Sequence, residues 1–193
     1  MKLRPFHKGD EAGVREAADD PEVAAMLLRL PSPYTEADAS WWVLHCIDAD
    51  AEIEKRGGRM GPSGLHFCRV GDSTSPDESG AVLGVIGVEP HPLHPHRAEI
   101  GYWIRRDWWG RGVGTEAVKA MAWEVGVRFP EIARLEACAF VENEASCRVL
   151  TKAGFEFEGR QKAIVMKEGK LKDGLSFGLV MQEEKRVSDE GAG

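Results

Sequence analysis

The stretch AEIGYWIRRDWWGRGVGTEAV, Ala98 to Val118, runs from a strand pattern through a glycine-rich loop into the start of a helix. Ala98, Ile100, Tyr102 and Ile104 alternate with Glu99, Gly101 and Trp103, the period of two that a pleated strand imposes. Gly110, Gly112 and Gly114 follow, and beyond them Ala117, Val118, Met121, Ala122 and Val125 fall on one apolar helical face. Glycine has no Cβ, so it permits positive φ and close approach to the backbone. The first N–H groups of a helix have no intrahelical partner and sit at the positive end of its dipole, so this order can cradle a phosphate. The dipole contributes about 0.3–1 kcal/mol, and hydrogen bonds to charged oxygens add to it. A P-loop requires Lys-Ser/Thr after the last glycine, where Thr115 and Glu116 stand. A dinucleotide fingerprint counted from Gly110 reaches Thr115 at its sixth position, and no acidic residue closes a βαβ unit. A tight turn without a ligand is the plain structural alternative.

Working outward, MKLRPF reads as a short strand, and Asp10–Ala18 and Pro21–Leu30 as helices, with Pro21 near the N-terminus of the second. Thr35 caps a helix to about Lys55, with Asp38 completing an imperfect capping box. Leu65–Val70 and Ala81–Pro90 read as an antiparallel hairpin around the polar turn Gly71–Gly80. Ala133–Val141 is the next strand; Asn143 caps a helix to Ala153, and Gly154 ends it. FEFEGR and LSFGLVMQ read as two last strands around a turn-rich KEGKLKDG. Helices inserted singly among more numerous strands predict a mixed α/β single domain over residues 1–182, with a flexible tail at 183–193.

A chain of 193 residues that is 42% hydrophobic builds one core. No apolar run is long enough to span a membrane, and a formal net charge of −7 argues against broad nucleic-acid binding. The N-terminus lacks a secretory apolar region. Four cysteines without a C-x-x-C pair suit a reduced, cytoplasmic protein. His91, His94 and His96 lack clustered carboxylate or thiol ligands, so no metal is expected.

The quoted stretch resembles the acetyl-CoA-binding motif of the GNAT superfamily of N-acetyltransferases, Gln/Arg-x-x-Gly-x-Gly/Ala. It aligns on Trp109, Gly110, Arg111, Gly112, Val113 and Gly114. Trp109 departs from the usual Gln or Arg, but that departure, LPSPYTEADASWW and ENEASCRVLTKAGF resemble the branch of ribosomal-protein N-terminal acetyltransferases. The resemblance implies a mostly antiparallel sheet flanked by helices, with two strands splayed at the acetyl-CoA site. It implies that the amides of Arg111, Gly112, Val113, Gly114 and Thr115 hold the pyrophosphate, and that the backbone at Trp103 and Ile104 pairs with the pantetheine arm. Asn143 is then a cofactor contact as well as a cap. Acetyl-CoA is the implied donor and an amine the acceptor, on a protein N-terminus or a small molecule. The chain is expected to work without metal, as a monomer or homodimer. A non-catalytic acyl-CoA- or nucleotide-binding module is the alternative of another class.

Acetyl transfer needs a deprotonated amine and a donor for the departing thiolate. Ser146 shares the inward face of its helix with Val149, Leu150 and Ala153, and the resemblance gives a serine here the thiolate. Its bland alternative is a first-turn backbone bond. Glu99, beside the implied cofactor strand, is the first candidate base, and Glu136 on the neighbouring strand the second. Tyr34, Trp41 and Trp42 are candidates for the acceptor pocket, with helix-to-sheet packing the alternative for the tryptophans. Cys147 lies one step round the helix from Ser146, which speaks against a covalent cysteine route.

Overall fold

The computed structural model describes residues 2–61, 66–72 and 81–181. Among the described residues its framework is a seven-stranded sheet, antiparallel throughout but for one pair. β1 (Lys2–Arg4) pairs antiparallel with β2 (Phe67–Asp72), and β2 with β3 (Val82–Pro90). β3 pairs antiparallel with β4 (Arg97–Ile104) along the whole of β4 but its first residue, from Pro90↔Ala98 to Gly84↔Ile104. The exception is the parallel pair of β4 with β5 (Arg134–Phe140), joined by α4 (Val113–Arg128), as a parallel crossover requires. β5 then pairs antiparallel with β7 (Lys170–Val180), and β7 with the edge strand β6 (Glu156–Lys167).

The parallel pair has only three rungs: Arg97↔Arg134, Ala98↔Leu135 and Glu99↔Glu136. Beyond Glu99 the strands part, and each continues for several residues with its other edge paired to β3 or β7. The splay implied by the glycine-loop resemblance is therefore a feature of the sheet.

Two cores cover its faces. On one, Ile100 and Ile104 of β4 pack with Val118, Met121 and Val125 of α4 and with Leu150 of α5 (Glu144–Lys152). Leu150 is 1% exposed, and burying such a side chain contributes about 1.5–3 kcal/mol, which anchors the short α5. On the other face, Val14 and Ala17 of α1 (Glu11–Ala18) and Val43 of α3 (Glu36–Lys55) pack on Val70 and Val85, with Trp103 against them. Tyr34 belongs to this second core at 6% exposure, and burial pushes its phenol up to about 12. Expected in the acceptor pocket, it has a packing role in this core.

The capping box at α3 forms in full, with Asp38 N–H donating to Thr35 Oγ1 at 3.2 Å and Thr35 N–H to Asp38 Oδ2 at 2.8 Å. Two elements differ from expectation. α2 (Pro21–Ala25) stops well short of Leu30, and the Lys167 ammonium from β6 caps the carbonyls of Ala24 and Leu27. The last hairpin is longer than FEFEGR and LSFGLVMQ suggested, because KEGKLKDG belongs mostly to its strands. Only Glu168 (φ 50°) and Gly169 (φ 73°) turn, both left-handed, as a two-residue hairpin turn requires. The expected turn at Gly71–Gly80 lies, beyond Asp72, outside the described residues, as does the tail 183–193.

Candidate active site

The glycine loop leaves the end of β4 through a single 3₁₀ turn, Arg106–Trp108. Gly110 (φ 74°) and Gly112 (φ 81°) are left-handed, and Gly112 is the N-cap of α4. A Cβ at either meets nothing within 4 Å, so these glycines are required by backbone conformation and not by crowding. Gly114 is crowded: a Cβ there would lie 3.3 Å from Val149 Cγ2 of α5 and 3.7 Å from Tyr102 Cε2. The Glu116 amide reaches Gly112 O at 3.1 Å, the first intrahelical bond of α4. The amides of Val113, Gly114 and Thr115 thus lie in the open first turn, at the positive end of a sixteen-residue helix. Val113 keeps its side chain in the core, at 7% exposure, so only its backbone serves the loop. The Arg111 guanidinium stacks 4.8 Å from the centre of the Trp108 ring, which holds a cation beside the cradle.

Trp109, the departure from the motif, has a structural task. Its indole N–H donates to Ile104 O at 2.7 Å, folding the loop back on the strand end. Backbone bonds fix which peptide groups face the gap: Arg105 N–H reaches Leu83 O, and His91 N–H reaches Arg97 O, so odd-numbered residues of β4 face β3. The Trp103 peptide therefore faces β3. Toward the gap stand the N–H and C=O of Tyr102 and the N–H of Ile104. A ligand adding as a strand would meet Tyr102 and Ile104, where Trp103 and Ile104 were expected.

Side chains alternate likewise, so the gap is flanked from both faces. On the α5 side, Ser146 Oγ lies 2.9 Å from Tyr102 OH, and the Ser146 amide donates to Asn143 Oδ1 at 3.0 Å. Asn143 thus caps α5 and orients its first turn. Tyr102 is the residue that sequence reasoning missed. It reaches α5 from β4, a contact between elements more than forty residues apart.

On the opposite face, Glu99 stands at the last rung before the strands part, between Glu89 and Glu136 in register. Its side chain touches solvent, yet the surrounding protein desolvates the carboxyl and raises its pKa; Arg29 and His91 oppose this, and Glu89 and Glu136 reinforce it. Among the described residues it has no ion pair. Glu136 differs sharply. Both its oxygens meet Arg97 Nη2, at 2.5 and 2.7 Å, and Arg134 Nε adds 2.8 Å. Partial burial works against its ionisation, but the two guanidinium groups outweigh it and hold the carboxyl below its usual range. A carboxylate so paired is a poor base, which favours Glu99 over Glu136 as the candidate. Glu89 is also held down, by His66 at 3.1 Å and Arg29 at 3.2 Å, against the effect of its own burial.

The remaining candidates, Trp41 and Trp42, lie on α3. Trp41 is 64% exposed and stacks on His45, with ring centres 5.1 Å apart. Trp42 packs against the second core and His66. His91 Nδ1 accepts the amides of Leu93 and His94, which gives the His91–His96 loop a structural use for its histidine. No group of three metal-binding side chains occurs among the described residues, and no described helix is long and apolar enough to cross a membrane.

Residues 1–156 match the acetyltransferase (GNAT) domain family. An uncharacterized N-acetyltransferase p20 of Bacillus licheniformis is 32% identical over 95% of this chain and 94% of its own. The L-amino acid N-acetyltransferase AaaT of Escherichia coli K12 is 28% identical over 89% of this chain and 92% of its own. Among solved structures, a GNAT acetyltransferase from Bacillus anthracis superposes with a TM-score of 0.74 at 20% identity, covering 93% of each chain. A ribosomal-protein-alanine N-acetyltransferase from Brucella melitensis does so with a TM-score of 0.69 at 17% identity, over 93% of this chain and 99% of that one. The sheet splayed beside a glycine-rich helix start, and the family match that covers both, establish that this chain belongs to the GNAT family of N-acetyltransferases, which take their acetyl group from acetyl-CoA.

Proposed function

We propose that the β4–β5 gap is the transfer site, with the pyrophosphate on the Arg111–Thr115 loop, the thioester between the strands, and the amine arriving on the Glu99 face. The observation that carries this reading is the splay itself. It opens one rung beyond Glu99 and has Ser146 on its other side. Glu99 takes a proton from the incoming ammonium group, and its raised pKa makes it a stronger base than an ordinary carboxylate. The amine nitrogen bonds to the thioester carbonyl carbon and gives its second proton to water, and the resulting intermediate collapses with the C–S electron pair going to sulfur. Ser146 gives its proton to that sulfur and is reprotonated from solvent, while Glu99 releases the amine proton to solvent.

The acceptor in this reading is a small amine bearing a carboxylate. Arg29 stands near enough to Glu99 to perturb it, so an ammonium group at Glu99 would leave a carboxylate within reach of a cation. The activity named for the Escherichia coli relative is of this kind. The four cysteines of the chain are free thiols, which supports a cytoplasmic setting. Release of coenzyme A thiol is the test, with acetyl-CoA, a panel of amino acids, their decarboxylated amines, and peptides with free N-termini. Turnover is expected with amino acids and far weaker with the decarboxylated amines. A preference for peptides would overturn the acceptor assignment.

A further inference from the structure

We propose that Tyr102 is the positioning residue of the leaving-group step: its phenol donates to Ser146 Oγ and leaves the serine's own hydrogen for the coenzyme A sulfur. This rests on the assignment of Ser146 made above. The two hydroxyls meet at 2.9 Å across the boundary between β4 and α5. Either could donate, but their surroundings differ. Burial, opposed only in part by the Ser146 bond, pushes the phenol up to about 12, so it keeps its proton throughout the neutral range. A phenol is also a stronger acid than an alcohol, so it is the natural donor of the pair. Ser146 is further fixed by its amide on Asn143 and by Leu150, which buries the same helix.

The acid strengths decide what Tyr102 can do. A thiol of pKa about 8.5 is the stronger acid by roughly three orders of magnitude, so Tyr102 cannot remain as tyrosinate beside a protonated sulfur. It acts instead through its hydrogen bond. A full alkoxide on Ser146 would be a stronger base than tyrosinate, so the Ser146 proton moves to sulfur only as Oγ regains one from solvent, and the phenol stabilises the partial charge that develops on Oγ in between. Both residues finish the step protonated. Tyr102 also lies 3.7 Å from the place a Cβ on Gly114 would occupy, which puts this pair at the base of the glycine cradle.

Tyr102→Phe removes the hydroxyl and keeps the ring that packs against the first core. The expected result is a fall in kcat of about tenfold or more, with KM for acetyl-CoA changed by less than about threefold. Calorimetric titration with coenzyme A and a thermal melt would show that the variant is folded and binds. The double variant with Ser146→Ala should be no slower than Ser146→Ala alone, because the phenol acts only through the serine. Wild-type kcat in Tyr102→Phe, beside a slow Ser146→Ala, would overturn this inference and leave the Ser146 assignment standing. Equal slowing by Tyr102→Phe with and without Ser146 would overturn it too, since the phenol would then act independently. Full turnover in Ser146→Ala would instead remove the assignment on which the inference rests, and the inference with it.

Discussion

Glu99 and Glu136 are cross-strand neighbours perturbed in opposite directions, and the physical reason is their partners. Burial works against ionisation at both; at Glu136 two guanidinium groups outweigh it, whereas at Glu99 it prevails over Arg29 and His91 and is reinforced by Glu89 and Glu136 in register. The pH consequences have opposite signs. Folded Glu99 holds its proton more tightly than the unfolded chain does, so its contribution to stability is present below the ordinary carboxylate pKa and is lost as pH rises through the raised value. Folded Glu136 contributes stability above the ordinary value, and this is lost as pH falls through its depressed pKa. Glu99→Gln should therefore raise the melting temperature at pH 7 while lowering kcat/KM and abolishing the acidic limb of the pH–rate profile. Glu136→Gln should do the reverse. It should lose about 1–2 kcal/mol, discounted for partial exposure, and keep the profile. Paired melts and pH–rate profiles check both, and a Glu99→Gln enzyme with an intact acidic limb would return the base to water. The sequence ranked Glu99 ahead of Glu136 only by its place beside the implied cofactor strand; the packing of Arg97 and Arg134 separates them physically, and those arginines are not distinguishable in sequence from solvated ones.

At the scale of elements, local chemistry was legible where it acts alone. The capping box of α3, the apolar face of α4 and the Asn143 cap of α5 depend on neighbours within one turn, and each forms as the sequence reads. α2 and the β6–β7 hairpin were misjudged because they settle each other: Lys167 on one caps carbonyls on the other, more than a hundred residues apart. The three glycines of the loop look alike in sequence, yet they have separate tasks. Gly112 needs its left-handed φ, which costs an ordinary residue about 1–2 kcal/mol. Gly114 needs space beside Val149 on the helix that carries Ser146. Gly112→Val should thus weaken coenzyme A binding by about tenfold or more, since 1.4 kcal/mol is a factor of ten, with kcat at saturation less affected. Gly114→Val should push α5 away and lower kcat as well. Titration calorimetry with saturation kinetics distinguishes the two, and identical profiles for both variants would mean that the loop acts as one undivided unit.

At the scale of the whole molecule, the gap leaves two strands of one sheet unpaired with each other past Glu99, so a ligand that pairs with both β4 and the loop should act as a missing piece of the fold. The resemblance of the glycine loop and two further segments implied the family, and single helices among more numerous strands the mixed sheet, but which peptide groups face the gap became visible only with the register of β3 on β4. A ligand that binds only the folded state stabilises it by about 2.7 kcal/mol at one hundred times its Kd. For a chain of this size each kcal/mol moves the melting temperature by about 2–4 °C, so saturating coenzyme A should raise it by roughly 5–11 °C. Coenzyme A lacks the acetyl group, so the shift reports the loop and the strand edge and not the chemistry. Ser146→Ala should keep the shift in full, because the hydroxyl serves the departing sulfur. Gly112→Val should lose most of it at the same ligand concentration. A Gly112→Val protein stabilised as strongly as the wild type would place the phosphates elsewhere than the first turn of α4.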